Sequence, residues 1–336
     1  MAEHRPIDCP DCFEEESARS VSRREFVRAL GATALVGGLV PRLVGASPLS
    51  LVPRAIDPES AVKRLHATFS GDLKNKICLP WSDSRRTRIN ANWAITEPKI
   101  EDFTKEQQSL VDEILRGVTS PEGYDRFQKQ MTDDDGGVGR YHVAIFGEPG
   151  SNQYEWVLTG RHTTIRADGD TTEGVAFGGP MIYGHGVGDS KKGMPGNVFY
   201  YQTKRANEVF TALDGKQREA ALVAKAPAES RVIPQGEKGT FSGLKVSEMS
   251  KDQKALVESV MKTLLAPYRE KDAEEALAIM KAGGGLDDLR MAFYASEDIG
   301  DDHEWDLWRI EGPTFVWHFR GAPHVHAYVN IAKKPA

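Results

Sequence analysis

Two histidines stand two positions apart near the end of the chain, in the segment Pro323-His324-Val325-His326. On an extended strand, positions i and i+2 project to the same face, so the two imidazoles could bind one metal ion. With nine histidines in 336 residues, such a pair would occur by chance about one time in four. The spacing therefore indicates a metal site without excluding a structural role.

Two further histidines stand in segments that could reach such a site. We expect His162 to lie on the second strand of a hairpin, on the same face as Trp156 and Leu158. His185 lies in a glycine-rich stretch from Gly178 to Gly196, whose backbone could approach a ligand closely. Each feature also has a plainer interpretation: a core histidine in the first case, and a solvated connection in the second.

The elements that must position these histidines occur twice in the chain. Thr104 to Val111 recurs as Ser250 to Val257 at an offset of 146 residues, and both segments have the features of a capped helix start. Other segments match in the same order, at offsets of 144 to 149 residues: Ala61 to Asp72 with Ala206 to Lys216, Val143 to Phe146 with Met291 to Tyr294, and Glu155 to Leu158 with Glu304 to Leu307.

We therefore predict an α+β fold made of two copies of one unit, helices followed by antiparallel strands, related by a pseudo-twofold axis. The copies would occupy residues 58–190 and 191–336, and the cleft between them is the natural place for a site. The strands are expected at 140–146 and 154–166 in the first copy, and at 289–295, 304–310 and 314–320 in the second.

Five segments of the chain resemble a bacterial family known as domain of unknown function 3500. They are Val143 to Gly147 with Pro149-Gly150, Trp156 to Thr164, Phe177 to Gly184, the helix Asn207 to Ala221, and His324-Val325-His326. The resemblance covers most of the mature chain and implies a shared fold and site rather than a particular reaction. The family carries two adjacent histidines where this sequence has Arg161-His162, so this segment would donate one imidazole instead of two.

Taken with this resemblance, the sequence predicts a site of three or four imidazoles, formed by His162, His185, His324 and His326. Nitrogen ligands without thiolates suit copper, iron or zinc better than calcium or magnesium. We expect three nearby side chains to orient the ligands or a substrate: Arg161, Tyr183 and Tyr328.

An acidic run, Asp133-Asp134-Asp135-Gly136, stands in what we expect to be a loop before the first hairpin. It lacks the later glutamate that a calcium-binding helix-loop-helix requires. We assign it no ligand role.

Residues 1–46 have the three parts of an export signal: a polar leader, the pair Arg23-Arg24 followed by Phe26, and an apolar run from Ala29 to Val40. The paired arginines resemble the twin-arginine consensus. We predict export by the twin-arginine translocation machinery, cleavage near Ala46, a linker over residues 47–57, and a periplasmic or otherwise extracytoplasmic mature protein. The alternative is an amphipathic helix that begins the domain.

The composition limits the partners of the protein. With 43 basic and 49 acidic residues, the formal net charge is −6, which does not favour a nucleic-acid surface. No uninterrupted apolar stretch reaches the ~18 residues that cross a bilayer. We therefore expect neither a nucleic-acid partner nor a stable membrane span in the mature chain.

These features favour an exported, histidine-ligated, metal-dependent enzyme, an oxidoreductase or a hydrolase, that acts on a small molecule or polymer fragment in the cleft between the halves. One alternative is a non-catalytic protein that binds a small organic ligand through Trp156, Trp308 and Trp317. Another is a metal carrier. The alternatives differ in whether the imidazoles converge and whether the metal keeps an open position.

Overall fold

The computed structural model describes residues 57–186, 196–298 and 304–333 of the chain. The expected signal peptide and nearly all of the expected linker lie outside these residues. Within the described part of the chain, no helix combines the length and the apolar character that a membrane span requires.

Eight α-helices lie in the described residues: α1 (Pro58–Thr68), α2 (Gly71–Ile77), α3 (Lys105–Val118), α4 (Pro121–Asp135), α5 (Tyr201–Ala212), α6 (Gly215–Ala221), α7 (Lys251–Leu265) and α8 (Glu270–Ala282). Several begin at polar N-cap residues. The side chains of Thr104, Ser120 and Asp214 each accept a hydrogen bond from a backbone N–H in the first turn. These bonds satisfy donors that a helix start otherwise leaves unpaired.

The described strands form one mixed sheet of eleven: β1 (Cys78–Leu79), β2 (His142–Gly147), β3 (Tyr154–Gly160), β4 (Thr163–Ala167), β5 (Met181–His185), β6 (Leu222–Val223), β7 (Leu244–Lys245), β8 (Arg290–Tyr294), β9 (Leu307–Gly312), β10 (Phe315–Arg320) and β11 (Val325–Ile331). The order is β1-β2-β3-β4-β5-β11-β10-β9-β8-β6, and β7 also pairs with β8. Only β1–β2 and β6–β8 are parallel among these pairs. The predicted α+β class is confirmed.

The two faces of the sheet are covered differently. Along β11, Val325 and Ala327 belong to the main core, which the sheet shares with the helices. Tyr328 projects to the opposite face and packs against Ala91 and Val232, which lie in extended segments between the elements. Side chains alternate between the faces along a strand, so polar groups on the second face are buried under these segments rather than under helices.

The two helix starts that match in sequence make similar contacts. Thr104 and Ser250 each begin a helix with a capping box, which is closed by Gln107 and Gln253 respectively. The Gln107 amide also donates to the carbonyl of the last residue of α1, and the Gln253 amide to that of the last residue of α5. Both predicted helix starts are confirmed.

The link between α3 and α4 pairs with the link between α7 and α8. The Ser120 N–H donates to the Pro267 carbonyl at 3.0 Å, and the Arg269 N–H donates to the Val118 carbonyl at 3.1 Å. Ser120 immediately precedes α4, as Arg269 immediately precedes α8. The two links therefore donate one backbone hydrogen bond to each other in each direction.

The strand expected over residues 154–166 is in fact two strands joined by a tight turn. Gly160, the last residue of β3, pairs with Thr163, the first residue of β4, so Arg161 and His162 form the turn. His162 has a φ of 55°, in the left-handed region. The prediction was wrong here because this turn carries none of the glycine, asparagine or aspartate that usually mark two-residue hairpin loops.

The tryptophan whose strand pairing resembles that of Trp156 is Trp308, three residues after Trp305, which the repeat in the sequence had matched to Trp156. Trp156 in β3 pairs with Ile145 in β2, whereas the tryptophan that pairs with Phe293 in β8 is Trp308. Trp305, the match chosen from the sequence, precedes β9. The connection before β9 is longer than the one before β3, which displaces the alignment.

The helix expected from Asn207 to Ala221 is interrupted. α5 ends at Ala212, and α6 begins at Gly215 with Asp214 as its N-cap. The capping side chain competes with continuation of the first helix.

Candidate metal centre

Three of the four predicted histidines lie close together, at the starts of β4 and β11 beside the end of β5. The ligand atoms of His162, His324 and His326 all lie within 4.8 Å of one another. Their ring centroids are 4.7 to 5.0 Å apart. The turn before β4 supplies His162 and the start of β11 supplies the other two, because β5 pairs with both of these strands.

The spacing of the three nitrogens fits one small metal ion. Three points at most 4.8 Å apart lie within about 2.8 Å of a common centre (4.8 Å divided by √3), compared with zinc–imidazole bonds of about 2.0 Å. The Nε2 atoms of His324 and His326 are 3.0 Å apart, near the ~3.3 Å that two such bonds at a tetrahedral angle give. Side-chain movements of less than about 1 Å would close the site around an ion.

His162 is held by its backbone and by one ring nitrogen. Its N–H donates to the Ala91 carbonyl at 2.6 Å, and its Nδ1 lies 2.8 Å from Asp134 Oδ2. An ionised carboxylate only accepts, so Nδ1 carries a proton and Nε2 is the ring nitrogen that remains for a metal. That Nε2 atom is buried with no hydrogen-bond partner in the described residues. A buried ring nitrogen without a hydrogen-bond partner, beside two other imidazoles, suits a metal ligand.

The left-handed backbone of His162 supports a functional role for this residue. Such a conformation costs a non-glycine residue on the order of 1 kcal/mol and is kept where the surroundings enforce it. Gly184 makes room for it, because a Cβ atom at that position would lie 3.2 Å from the His162 Cβ and 2.3 Å from the Val325 carbonyl oxygen.

Asp134 belongs to the last turn of α4, not to the loop that we expected for the acidic run. Burial would raise the pKa of this carboxyl, but hydrogen bonds from His162, Gln130 and the Gly186 N–H outweigh it and bring the pKa below its ordinary value. Asp134 is therefore a carboxylate at neutral pH, as its role of acceptor from His162 requires.

His326 has a second carboxylate partner. Its Nδ1 lies 2.9 Å from Glu229 Oε2, and the other oxygen of Glu229 lies 3.1 Å from Arg320 Nη1. By the same proton assignment, Nε2 of His326 presents its lone pair towards His324. Burial, the Arg320 guanidinium and His162 lower the pKa of His326 well below its ordinary value, so the imidazole is neutral.

His324 is the most exposed of the three, because it is half-buried while the other two are buried. Its Nε2 lies 3.5 Å from Arg320 Nη2. Burial and the neighbouring His326 and His162 lower the pKa of His324 to about 2. The side of the centre at His324 is therefore its more exposed side.

The fourth predicted ligand, His185, is not part of this group. The Val198 N–H donates to its Nδ1 at 3.0 Å, which places the proton on Nε2, 3.0 Å from Asp133 Oδ2. Both ring nitrogens are engaged, and burial lowers the pKa of the imidazole. His185 holds the end of α4, next to Asp134.

The three side chains expected to orient ligands lie in different surroundings. The Arg161 side chain is exposed. Tyr183 is buried in the main core and donates to Gln202 at 2.7 Å. The Tyr328 ring lies on the same sheet face as His326, with 6.3 Å between the ring centroids.

Neither Asp134 nor Glu229 was predicted from the sequence to take part in the centre. The signal for Asp134 was present, because three consecutive aspartates at a helix C-terminus oppose the helix dipole and need a compensating reason. Glu229 and Arg320 had no such signal. Glu229 lies in an irregular segment, and only the packing of that segment on the sheet brings it to His326.

A family model described as "Protein of unknown function (DUF3500)" matches residues 56–332 of the chain. This range contains all three histidines and both carboxylates. The chain has no significant match among curated proteins or solved structures.

Proposed function

Since the chain belongs to the DUF3500 family, whose description names no activity, we propose a function from the site: a metal-dependent enzyme, an oxidoreductase or a hydrolase, with His162, His324 and His326 as protein ligands. One observation carries the proposal, namely the convergence of three imidazoles, two of which have carboxylates on Nδ1. Copper, iron and zinc are the ions that suit this donor set.

The chemistry of the donor set supports catalysis. Three protein ligands are the usual complement of a catalytic zinc site, where the remaining position takes water or substrate. A metal bound there would activate water as a Lewis acid, or, if it is redox-active copper or iron, would activate dioxygen by electron transfer. Asp134 and Glu229 keep the Nδ1 protons in place, so each Nε2 lone pair faces the centre.

The alternatives explain the site less well. A non-catalytic binding protein does not require three imidazoles to converge. The tryptophans expected to form its ligand cleft, Trp156, Trp308 and Trp317, are fully buried in the main core. A metal carrier would be expected to have an exposed, labile site, whereas His162 and His326 are each only 1% exposed.

Elemental analysis tests the proposal directly. The protein would be purified from the compartment to which it is exported, beside a variant with His324→Ala and His326→Ala. We expect about one equivalent of copper, iron or zinc in the parent and less than about a tenth of that in the variant. His142→Gln is a matched control, because His142 bonds to the Pro98 carbonyl outside the trio. Absence of metal from the parent would contradict the proposal.

We also propose that the chain arose by duplication of one unit, with halves at about 58–190 and 191–336. The repeated sequence segments support this, as do the matching capping boxes at Thr104 and Ser250 and the reciprocal hydrogen bonds of Ser120 and Arg269. The histidine centre does not repeat, because the turn between β9 and β10 that corresponds to Arg161-His162 is Pro313-Thr314.

Export by the twin-arginine pathway is a further proposal and rests on residues 1–46 alone. The pair Arg23-Arg24 and the apolar run behind it support it. Replacing both arginines by lysine should leave the uncleaved precursor in the cytoplasm, and fractionation would detect it. Normal export of that variant would contradict the proposal.

A further inference from the structure

One tyrosine of α4 is held by two side chains of α3. The Tyr124 hydroxyl donates to Asp112 Oδ1, and Arg116 Nη2 donates to the Tyr124 oxygen at 2.7 Å. The Cζ atom of Arg116 also lies 3.8 Å from the centre of the Tyr124 ring, which is a cation–π contact. Burial and the hydrogen bond to Asp112 raise the pKa of Tyr124 to about 12, so the phenol keeps its proton. A carboxylate and a cation one helical turn apart therefore hold a phenol ring between α3 and α4.

The carboxylate and the cation recur on α7. The two capped helix starts, Thr104 and Ser250, are 146 positions apart, and at the same offset Glu258 corresponds to Asp112 and Lys262 to Arg116. The buried positions of the two helices support this correspondence. Val111, Ile114, Leu115 and Val118 are buried in α3, and Val257, Val260, Met261 and Leu264 are buried at the same offset in α7.

The tyrosine does not recur on α8. Tyr124 is the fourth residue of α4, and the fourth residue of α8 is Ala273. Burial supports this correspondence as well. Gly123, Phe127 and Gln130 are buried in α4, and Asp272, Ala276 and Ile279 are buried at the same positions counted from the start of α8. A methyl group therefore stands where the other helix pair has a phenol ring.

A groove runs along α7 and α8 at this place. A space of about 770 Å³ is lined by Glu258, Lys262 and Leu277. A second space of about 470 Å³, lined by Ala273, adjoins Lys262 and Leu277 as well. Among the described residues, the small Ala273 side chain thus leaves open the position that Tyr124 fills between α3 and α4.

We infer that this groove binds a small phenolic ligand, whose hydroxyl donates to Glu258 and whose ring lies against Lys262. The inference goes beyond the proposed metal centre and does not depend on it. A carboxylate accepts from a phenol, and an ammonium group is attracted to the face of an aromatic ring. Met261 and Met280 also line the groove, and thioethers make favourable contacts with aromatic rings.

The test uses the full mature chain and p-cresol, which is the tyrosine side chain as a free molecule. Toluene, which lacks the hydroxyl, is titrated in parallel, and amide NMR shifts of the labelled protein locate and quantify binding. The variants are Ala273→Tyr, which restores the missing side chain, and Glu258→Gln, which changes one exposed group. Ala278→Tyr is the matched control, because Ala278 is exposed on the same helix and does not line the groove.

We expect p-cresol to bind the parent and Ala278→Tyr alike and to shift amides around Lys262 and Leu277. Ala273→Tyr should lose this binding and unfold at a higher denaturant concentration, because its own ring occupies the groove. Glu258→Gln should bind p-cresol about tenfold more weakly, since a hydrogen bond to a charged group is lost, and should bind toluene as the parent does. Equal binding of p-cresol and toluene by the parent would overturn the inference, as would unchanged p-cresol binding in Ala273→Tyr or no saturable binding below about 10 mM.

Discussion

Glu229 Oε2 lies 2.9 Å from the Nδ1 atom of His326, although the two residues are 97 positions apart in the chain. The same relationship joins Asp134 to His162 at 2.8 Å. A carboxylate behind a histidine fixes the imidazole tautomer and makes the other ring nitrogen a stronger donor to a metal. These two pairs support the proposed metal centre, because chance proximity of three histidines would not require a carboxylate on the Nδ1 atom of two of them.

Removing the charge behind His326 should weaken metal binding. We expect Glu229→Gln to raise the metal dissociation constant about 10- to 100-fold, the usual range for such partners, because an amide cannot replace the carboxylate. Competition with a chelator of known affinity measures the change. Glu237→Gln, in the same segment but exposed, should have the affinity of the parent. An unchanged affinity in Glu229→Gln would contradict the assigned role.

Two adjacent aspartates provide a matched comparison at the other histidine. Asp134 accepts from His162, whereas Asp133 pairs with His185 and Lys129. Asp134→Asn should lower metal affinity by about 10-fold or more, and Asp133→Asn should leave it close to that of the parent. Equilibrium dialysis against a metal buffer would distinguish them. Equal losses in the two variants would show that His185 matters as much as His162.

Gly184 should not accept even one added carbon. A Cβ there would lie 2.3 Å from the Val325 carbonyl oxygen, so β5 and β11 must separate where the centre is built. We expect Gly184→Ala to lower the free energy of unfolding by roughly 1 to 3 kcal/mol and to reduce metal content. Gly215→Ala is the control, because its Cβ would have no atom within 4 Å. Denaturant unfolding measures both, and equal stability of the two variants would count against the close packing.

Asp168 should make stability depend on pH. Burial and the nearby Glu155 raise its pKa from 3.8 to about 6. Because the folded state holds this proton to higher pH than the unfolded chain does, this group's contribution to stability is lost as the pH rises from about 4 through 6. Asp168→Asn should therefore be more stable than the parent at about pH 7.5, by roughly 2 to 3 kcal/mol.

Unfolding curves at about pH 4.5 and 7.5 would measure the difference for Asp168→Asn. The control is Asp72→Asn, whose parent side chain is 81% exposed and which should change stability by less than about 0.5 kcal/mol. A difference between parent and Asp168→Asn that does not vary with pH would mean that the carboxyl titrates normally.

Local features of the chain were predictable because they depend on neighbouring residues. The helix starts at Thr104 and Ser250 follow from capping side chains three positions before a glutamine. The pairing of His324 with His326 follows from the period of an extended strand. The α+β class follows from the alternation of these two patterns along the chain.

Contacts across the fold were not predictable from such patterns. His162 and His185 looked alike in the sequence, yet only His162 belongs to the centre. A turn without glycine, asparagine or aspartate places His162 between β3 and β4. The Val198 N–H and Asp133 occupy both ring nitrogens of His185. The periodicity of a strand predicts which face of the sheet a side chain occupies. It does not predict which residue of another element contacts that side chain.

The amino-acid sequence by itself determined the helix starts at Thr104 and Ser250, the mixed class of the fold and a set of four histidines that includes the three of the centre. The tertiary structure alone decided that these three converge, that Asp134 and Glu229 stand behind two of them, and that Arg320 lies beside the third. The physical reason is the distance along the chain over which each interaction acts. Capping and alternation act over a few residues, whereas the centre depends on β5 pairing with β11 and on a distant segment packing over the sheet.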